Sequence, residues 1–333
     1  MIRRVLLSVF ALSLLFLSSA GLAFAADAKI VLKLAEIHPK GYPTELADEE
    51  FAKLVNKYTN GEIRIDVYPG GELSSDEKVI IEQVKVGVLH FARVSSGALG
   101  AFNPQMNVFG LPYLFDSKEH MWAFLNGAYG QKMLTDLIPS GFFGLTWYDG
   151  GARSFYSKNP IKGPEDIKGQ KFRMIGNPIL LKMADALGAS SVSMAAGQVF
   201  GAIQTGVLDG AENNAPSLIS FNHYQVVKYY TLDEHARLPE VLFMNRTAWD
   251  KMSLTQQTAI QKAAVETVKF QRKAWDAYEI EALKKVKDAG VIVTDVKDKS
   301  VWQAAVKGVF DAEMGPYADT VKAVDAARAS LKK

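Results

Sequence analysis

"KIVLKLAEIHPKGYPTELADEEFAKLVNKYTNGEIRIDVYPG", residues 29–70, changes its hydrophobic period twice. KIVLKLAEI reads as a buried strand, and YPTELADEEFAKLVNKYTNG as a helix closed by Gly61. EIRIDVYP alternates as a second strand, with Pro69-Gly70-Gly71 as its stop. The next segment, DEKVIIEQVKVGVL, is helical again, and HFARVSSG is a short strand ending in small residues. This β-α-β-α-β order implies a parallel sheet with helices on both faces.

A second unit of similar grammar begins near residue 151. RSFYSK and KFRMIG read as strands around the loop NPIKGPEDIKGQ, a hairpin-like segment that sets Arg153 and Arg173 on two neighbouring strands. NPILLKMADALGA is a helix with Pro178 near its first position and Gly188 at its end. GQVFGAIQTGVLDG is another helix, leading into the short strand AENN, and PEVLFMNR (239–246) returns to a strand pattern. Ser253 and Gln256 then form a capping box, and a helical pattern runs over 254–289 to Gly290. At 1.5 Å per residue that helix is about 52 Å long. A compact chain of this size is roughly 50 Å across, so the helix should lie across the whole molecule. Strict heptads are too few for a coiled-coil seam.

The first 25 residues stand apart. MIRR is a basic start, VLLSVFALSLLFLSSAGLAF an apolar run, and Ala23-Phe24-Ala25 a small-residue cleavage site. Together they read as a secretory signal cleaved after Ala25, which places the mature chain in the periplasm. The chain has no Cys, which excludes a lipid-anchored Cys, Cys nucleophiles, thiolate metal sites and disulfides. Removing the signal takes Lys+Arg from 38 to 36, equal to Asp+Glu at 36, so no nucleic acid or anionic membrane is implied as a partner. About 308 of the 333 residues remain, enough to bury a sizeable core.

Enzyme motifs are missing. The five His (38, 90, 120, 223 and 235) have no metal-ligand spacing, and neither G-x-S-x-G nor a phosphate-binding loop occurs. No cofactor and no metal are expected. The polar residues that stand out end strands, where open α/β sheets place their ligand crevice. They are Glu36, His38, Glu72, Arg93, Arg153, Arg173, Asn213 and Asn214. Guanidiniums with amides and a carboxylate suit a hydroxylated organic acid, since Arg binds a carboxylate as a bidentate fork.

The runs GGARSFYSKNPIKGPEDIKGQKFRM, AIQTGVLDGAENNAPS, HYQVVKYYTLDEHARLPEVL, EQVKVGVLHFARVSSGALGAF and VFGLPYLF carry a resemblance. In that order they resemble the DctP family, the solute-binding proteins of TRAP transporters. The resemblance implies a periplasmic-binding-protein-like α/β fold: two domains with a ligand cleft between them, spanned by the long helix. On that plan domain I takes 26–150 plus about 240–279, and domain II takes 151–239 plus about 280–333. It implies a monomer that is no enzyme, and that passes a small organic acid to a sodium-driven permease of small and large membrane subunits.

Residue by residue, Arg173 matches the family's principal carboxylate clamp, Arg153 its assisting arginine, and Asn213 its amide. His38, Glu72, Arg93, Asn214 and His235 are the candidates for ligand hydroxyls. The motifs look similar to the sugar-acid branch, which takes hexuronates, except that Ala215 stands where that branch often has an aromatic. A C4-dicarboxylate, with Arg93 serving its second carboxylate, a 2-oxo acid and an aromatic acid are the alternative ligands. A secreted enzyme pairing Glu72 with His38 and a sensory protein presenting its ligand to a receptor are the alternative classes.

Overall fold

The computed structural model describes residues 28–332. The signal-peptide reading falls on 1–25, outside the described residues. In chain order the first half holds β1 (Ile30–Ala35), α1 (Pro43–Tyr58), β2 (Ile63–Tyr68), α2 (Glu77–Lys85) and β3 (Phe91–Ser95). It continues through α3 (Ser96–Leu99), α4 (Lys118–Asn126), α5 (Ala128–Thr135) and β4 (Phe142–Tyr148). There follow β5 (Arg153–Ser157), β6 (Lys171–Met174), α6 (Pro178–Ala186), β7 (Ser190–Ser193), α7 (Ala196–Gln204), β8 (Gly210–Asn213), α8 (Ala215–Ser220) and β9 (Tyr229–Ala236). The chain ends with β10 (Glu240–Asn245), α9 (Arg246–Asp250), α10 (Leu254–Asp288), β11 (Ile292–Asp295), α11 (Ser300–Glu313) and α12 (Ala318–Ser330).

The strands form two sheets, ordered β2-β1-β3-β10-β4 and β11-β9-β5-β8-β6-β7. In the first, β1 runs parallel to β2 and β3 as the alternating order implies. However, β10 inserts antiparallel between β3 and β4, so the sheet is mixed. The cause is topological. β10 arrives from the other half through residues 237–239, and so enters from the end at which β3 stops. In the second sheet β5 is likewise antiparallel to β8 and β9.

The hairpin reading of 153–176 is corrected here, because β5 and β6 are not neighbours. β8 lies between them, antiparallel to β5 and parallel to β6. Arg153 and Arg173 therefore flank the strand that carries Glu212 and Asn213.

The long helix forms as the capping box predicts. Ser253 Oγ accepts from Gln256 N, Gln256 Oε1 accepts from Ser253 N, and α10 runs 35 residues to Asp288. Its first turns bury Ile260, Ala263 and Ala264 with Leu34 and Phe51 of the first half. Its last turns bury Ala282 and Val286 with Tyr156 and Tyr230 of the second. The apolar face thus changes partner along its length. Midway, Gln271 is fully buried and grips the first crossing segment. Its Oε1 accepts from Asp149 N (2.8 Å), and its Nε2 donates to Asp149 O (3.0 Å). At the C-terminus α11 packs on α6, whereas α12 packs back on α4.

Replacing Gln271 by Leu keeps the volume and strands both backbone groups of Asp149. We expect a loss of about 2–4 kcal/mol, as two buried polar groups lose their partners. Urea unfolding measures it, and a variant as stable as the parent contradicts the bracing role.

Candidate functional site

Each half contributes a buried charge network to one chamber. In the first half, the Gly70-Gly71 turn (φ 66° and 72°) takes a left-handed conformation that suits glycine. Its two amides donate to His38 O (2.7 Å) and Glu36 O (3.0 Å), which fixes the segment after β1. Glu36 accepts from Thr44 Oγ1 (2.8 Å), from Arg93 Nε (2.7 Å) and from Arg93 Nη2. Arg93 Nη1 donates to Glu240 (2.7 Å), and its Nη2 lies 2.8 Å from His38 Nδ1. Every nitrogen of this fully buried guanidinium is therefore engaged.

The His38 ring stacks on Tyr42 at 3.7 Å, and burial drives its pKa down to about 3, so it is neutral at pH 7. Glu77 opens α2 and accepts from Ser95 N (2.9 Å). Burial, and then the Glu240 charge, raise its pKa to about 8, so at neutral pH it mostly keeps its proton.

In the second half Arg153 is equally committed. Its Nε and Nη2 donate to the Glu212 carboxylate, Nη2 also reaches Glu212 O (2.9 Å), and Nη1 donates to Asn213 Oδ1 (2.9 Å). Burial pushes the Glu212 carboxyl up, but Arg153 and His235 together hold it at about 2. Arg173 differs. Its Nε and Nη2 donate only to Met194 O (3.1 and 3.0 Å), and Nη1 has no partner among the described residues. It is 6% exposed.

These groups meet in a cavity of about 30 Å³, whose wall includes His38, Arg93, Arg153, Arg173, Asn213 and Asn214. Six of the eight sequence candidates are thus brought together. A second cavity of about 120 Å³ shares Glu77, Arg173, Ile175 and Ala196 with it.

Two candidates lie elsewhere. Glu72 is exposed and absent from the wall, because the glycine turn carries it outward; the carboxyl that reaches the chamber is Glu77. His235 is buried behind the wall, 2.7 Å from Asp233 and 3.6 Å from Glu212. Burial lowers its pKa, but those two carboxylates override it and raise the ring to about 9.

Asn214 faces the chamber with its amide already spent, accepting from Ser217 N (2.7 Å) and donating to Gly150 O (2.8 Å). Ala215 is not part of the wall; Phe221, at the other end of α8, supplies the aromatic there. Sequence reading missed Glu77, Glu212, Glu240 and Phe221. Glu212 stands beside Asn213 near the end of β8, so the strand-end signal that marked Asn213 would have found it; Glu240 instead opens β10. Nothing marks Glu77, since an acidic residue in the first turn of a helix is commonplace.

Residues 34–314 match the family model described as DctP, bacterial extracellular solute-binding protein, family 7. The chain belongs to this family. A solute-binding protein of Chromohalobacter salexigens is 38% identical over 276 residues, which is 83% of this chain and 82% of that one. A TRAP periplasmic solute-binding protein of Xanthobacter autotrophicus Py2, solved with bound β-D-galacturonate, is 41% identical with a TM-score of 0.85, over 89% of this chain and 99% of that one. One from Pseudomonas putida F1, solved with bound D-glucuronate, is 40% identical with a TM-score of 0.86, over 89% and 97%.

This solute-binding protein is a transport component, not an enzyme. Among the described residues no helix is long and apolar enough to cross a membrane, and no group of three or more His, Cys, Asp or Glu is placed to hold a metal ion.

The buried titrations make the stability of the solute-binding protein depend on pH. His38 and His223 stay neutral down to about 3 in the fold but take up protons near 6.5 when unfolded. They therefore cost stability as pH falls below 6.5, and Glu212 adds to the loss below 4.5. Glu77 and His235 hold their protons to about 8 and 9, against 4.5 and 6.5 unfolded. Here the fold binds more protons, so stability is lost as pH rises through those windows. Asp48, Glu45 and Glu279, which burial also raises, act in the same sense as Glu77 and oppose the histidines below 6.5; above 6.5 Glu77 and His235 act together. Melting temperature should fall from about pH 7 to about pH 9, above the ordinary histidine range and up to the His235 value, and His235→Asn should flatten that fall. A melting temperature that climbs through pH 8 contradicts this.

Proposed function

We propose that the protein is exported to the periplasm, captures a hexuronate as a monomer, and delivers it to a TRAP permease of small and large membrane subunits. One observation carries the ligand class: of the three guanidiniums on the chamber wall, only Arg173 lacks a carboxylate partner. A ligand with one carboxylate supplies the missing counter-charge. Around it, Asn213 and Arg153 on the second sheet, with His38 and Arg93 across the cleft, offer the mixed donors and acceptors that ring hydroxyls need. Protonated Glu77 adds a further donor. The relatives solved with galacturonate and glucuronate support this reading.

The dicarboxylate alternative needs Arg93 for a second carboxylate. That guanidinium is already neutralised by Glu36 and Glu240, so a second anion would meet an acidic end of the chamber. Asn214 and His235 act as supports in this scheme, the first capping α8 and the second holding Glu212.

Closure is part of the function. A ligand shuts a cleft only by binding the shut form better than the open one. Arg173 on one sheet and the Arg93 network on the other give a hexuronate that differential contact.

Calorimetry with D-glucuronate and D-galacturonate tests the proposal. Both uronates should bind, whereas D-glucose, which lacks the carboxylate, should not. Arg173→Ala should cost about 3–5 kcal/mol, the scale for leaving one member of a buried charge pair alone. An Arg173→Ala protein with parental affinity, or equal binding of glucose, would overturn it.

A further inference from the structure

Lys78, the second residue of α2, reaches across the cleft. Its Cε and Nζ lie 3.2 and 3.5 Å from the point where a Cβ on Gly176 would stand, and Gly176 follows Arg173 by three residues on the second half. Beside it, Ser75 Cβ and Oγ each lie 2.9 Å from the Cβ position of Gly197 in the first turn of α7. Lys78 of α2 and Ser75, two residues before the helix, thus close onto two positions of the second half that have no side chain. Between these contacts lies the 120 Å³ cavity, whose wall includes Ser75, Lys78, Arg173, Ser193 and Ala196.

The charges on that wall are lopsided. The chamber's ion pairs belong to Arg93 and Arg153, and neither Arg173 nor Lys78 forms one among the described residues. Asp76 also stands on that wall, where its Oδ1 accepts from Lys78 N (2.9 Å), and it is the wall's one carboxylate besides Glu77. Glu77 is mostly protonated at neutral pH. The N-terminus of α7 has no side-chain cap. Two cations from opposite halves therefore face one small cavity. They repel each other when nothing lies between them, and an anion held between them turns that repulsion into attraction.

We propose that Lys78 is the first half's share of the carboxylate site: the carboxylate held by Arg173 is bridged across the cleft to Lys78, and this bridge makes closure depend on an acid. The inference rests on the acid-binding reading above and adds a residue to it. It also gives selectivity a second stage, because a neutral sugar that fits the polar chamber leaves the two cations unbridged and the cleft ajar.

The test is calorimetry with D-glucuronate over a range of sodium chloride, on the parent, Lys78→Met, Lys78→Arg and Gly176→Val, with small-angle scattering for closure. Lys78→Met should weaken binding about tenfold, the loss of one partly exposed charge-assisted contact. It should also flatten the salt dependence and reduce ligand-induced compaction. Lys78→Arg should restore most of the affinity. Gly176→Val, which crowds the Lys78 tip out of place, should reproduce the Lys78→Met loss. Parental affinity and salt dependence in Lys78→Met would overturn the bridge while leaving the hexuronate reading intact. A parent that binds neither uronate overturns that reading and the bridge with it.

Discussion

A guanidinium buried without a counter-charge is expensive, and Arg173 is held in that condition by its surroundings. Its carbonyl partner, Met194 O, satisfies two nitrogens but brings no charge. The nearest strand, β8, does carry a buried carboxylate, yet Glu212 is gripped by Arg153 from the other side. Across the cleft Glu36 and Glu240 are spent on Arg93. Three guanidiniums face three carboxylates, but Arg93 holds two of them and Arg173 none, which leaves a local shortage of negative charge at Arg173. That shortage is what a carboxylate ligand relieves. The neutralised networks around it provide a rigid polar surface rather than further anion sites.

The rest of the fold maintains this imbalance. Placing β8 between β5 and β6 puts Glu212 within reach of Arg153 and gives the two arginines different fates. Inserting β10 beside β3 brings Glu240 to Arg93, with the two residues on paired strands of one sheet. Helix α10 then ties the halves together by packing one end on each core and gripping Asp149 through Gln271. The first crossing segment is thus anchored. Gly176 and Gly197 let the two halves come close, since a Cβ at either would meet Lys78 or Ser75.

Much of this architecture was legible in the sequence, for reasons tied to particular stretches. Residues 29–95 alternate so regularly between strand and helix periods that β1 to β3 and the first two helices follow directly. A capping box and an unbroken periodic run give α10 almost to the residue. Strand order was not legible. Local pattern says nothing of which strands meet, so the insertion of β8 and β10 was invisible, and with it the pairing of each arginine. The site was half legible for the same cause. Arg93, Arg153, Arg173, His38 and Asn213 were found as polar residues at strand ends, but their roles depend on the carboxylates facing them. Glu72 drew notice because it follows the second strand. The chain turns outward there, and Glu77, five residues on, is the one that points inward.

With Arg173 as the one guanidinium left without a carboxylate, the chamber should accept one carboxylate and no more. Calorimetric comparison of D-glucuronate with D-glucarate on the parent protein tests this, because the two share a six-carbon skeleton and differ at C1, which closes the ring in glucuronate and is a second carboxylate in open-chain glucarate. Glucuronate should bind at least about 100-fold more tightly, since the extra charge must be buried against carboxylates already paired with Arg93. Glucarate binding as tightly as glucuronate would contradict it and return Arg93 to the role of a second anion site.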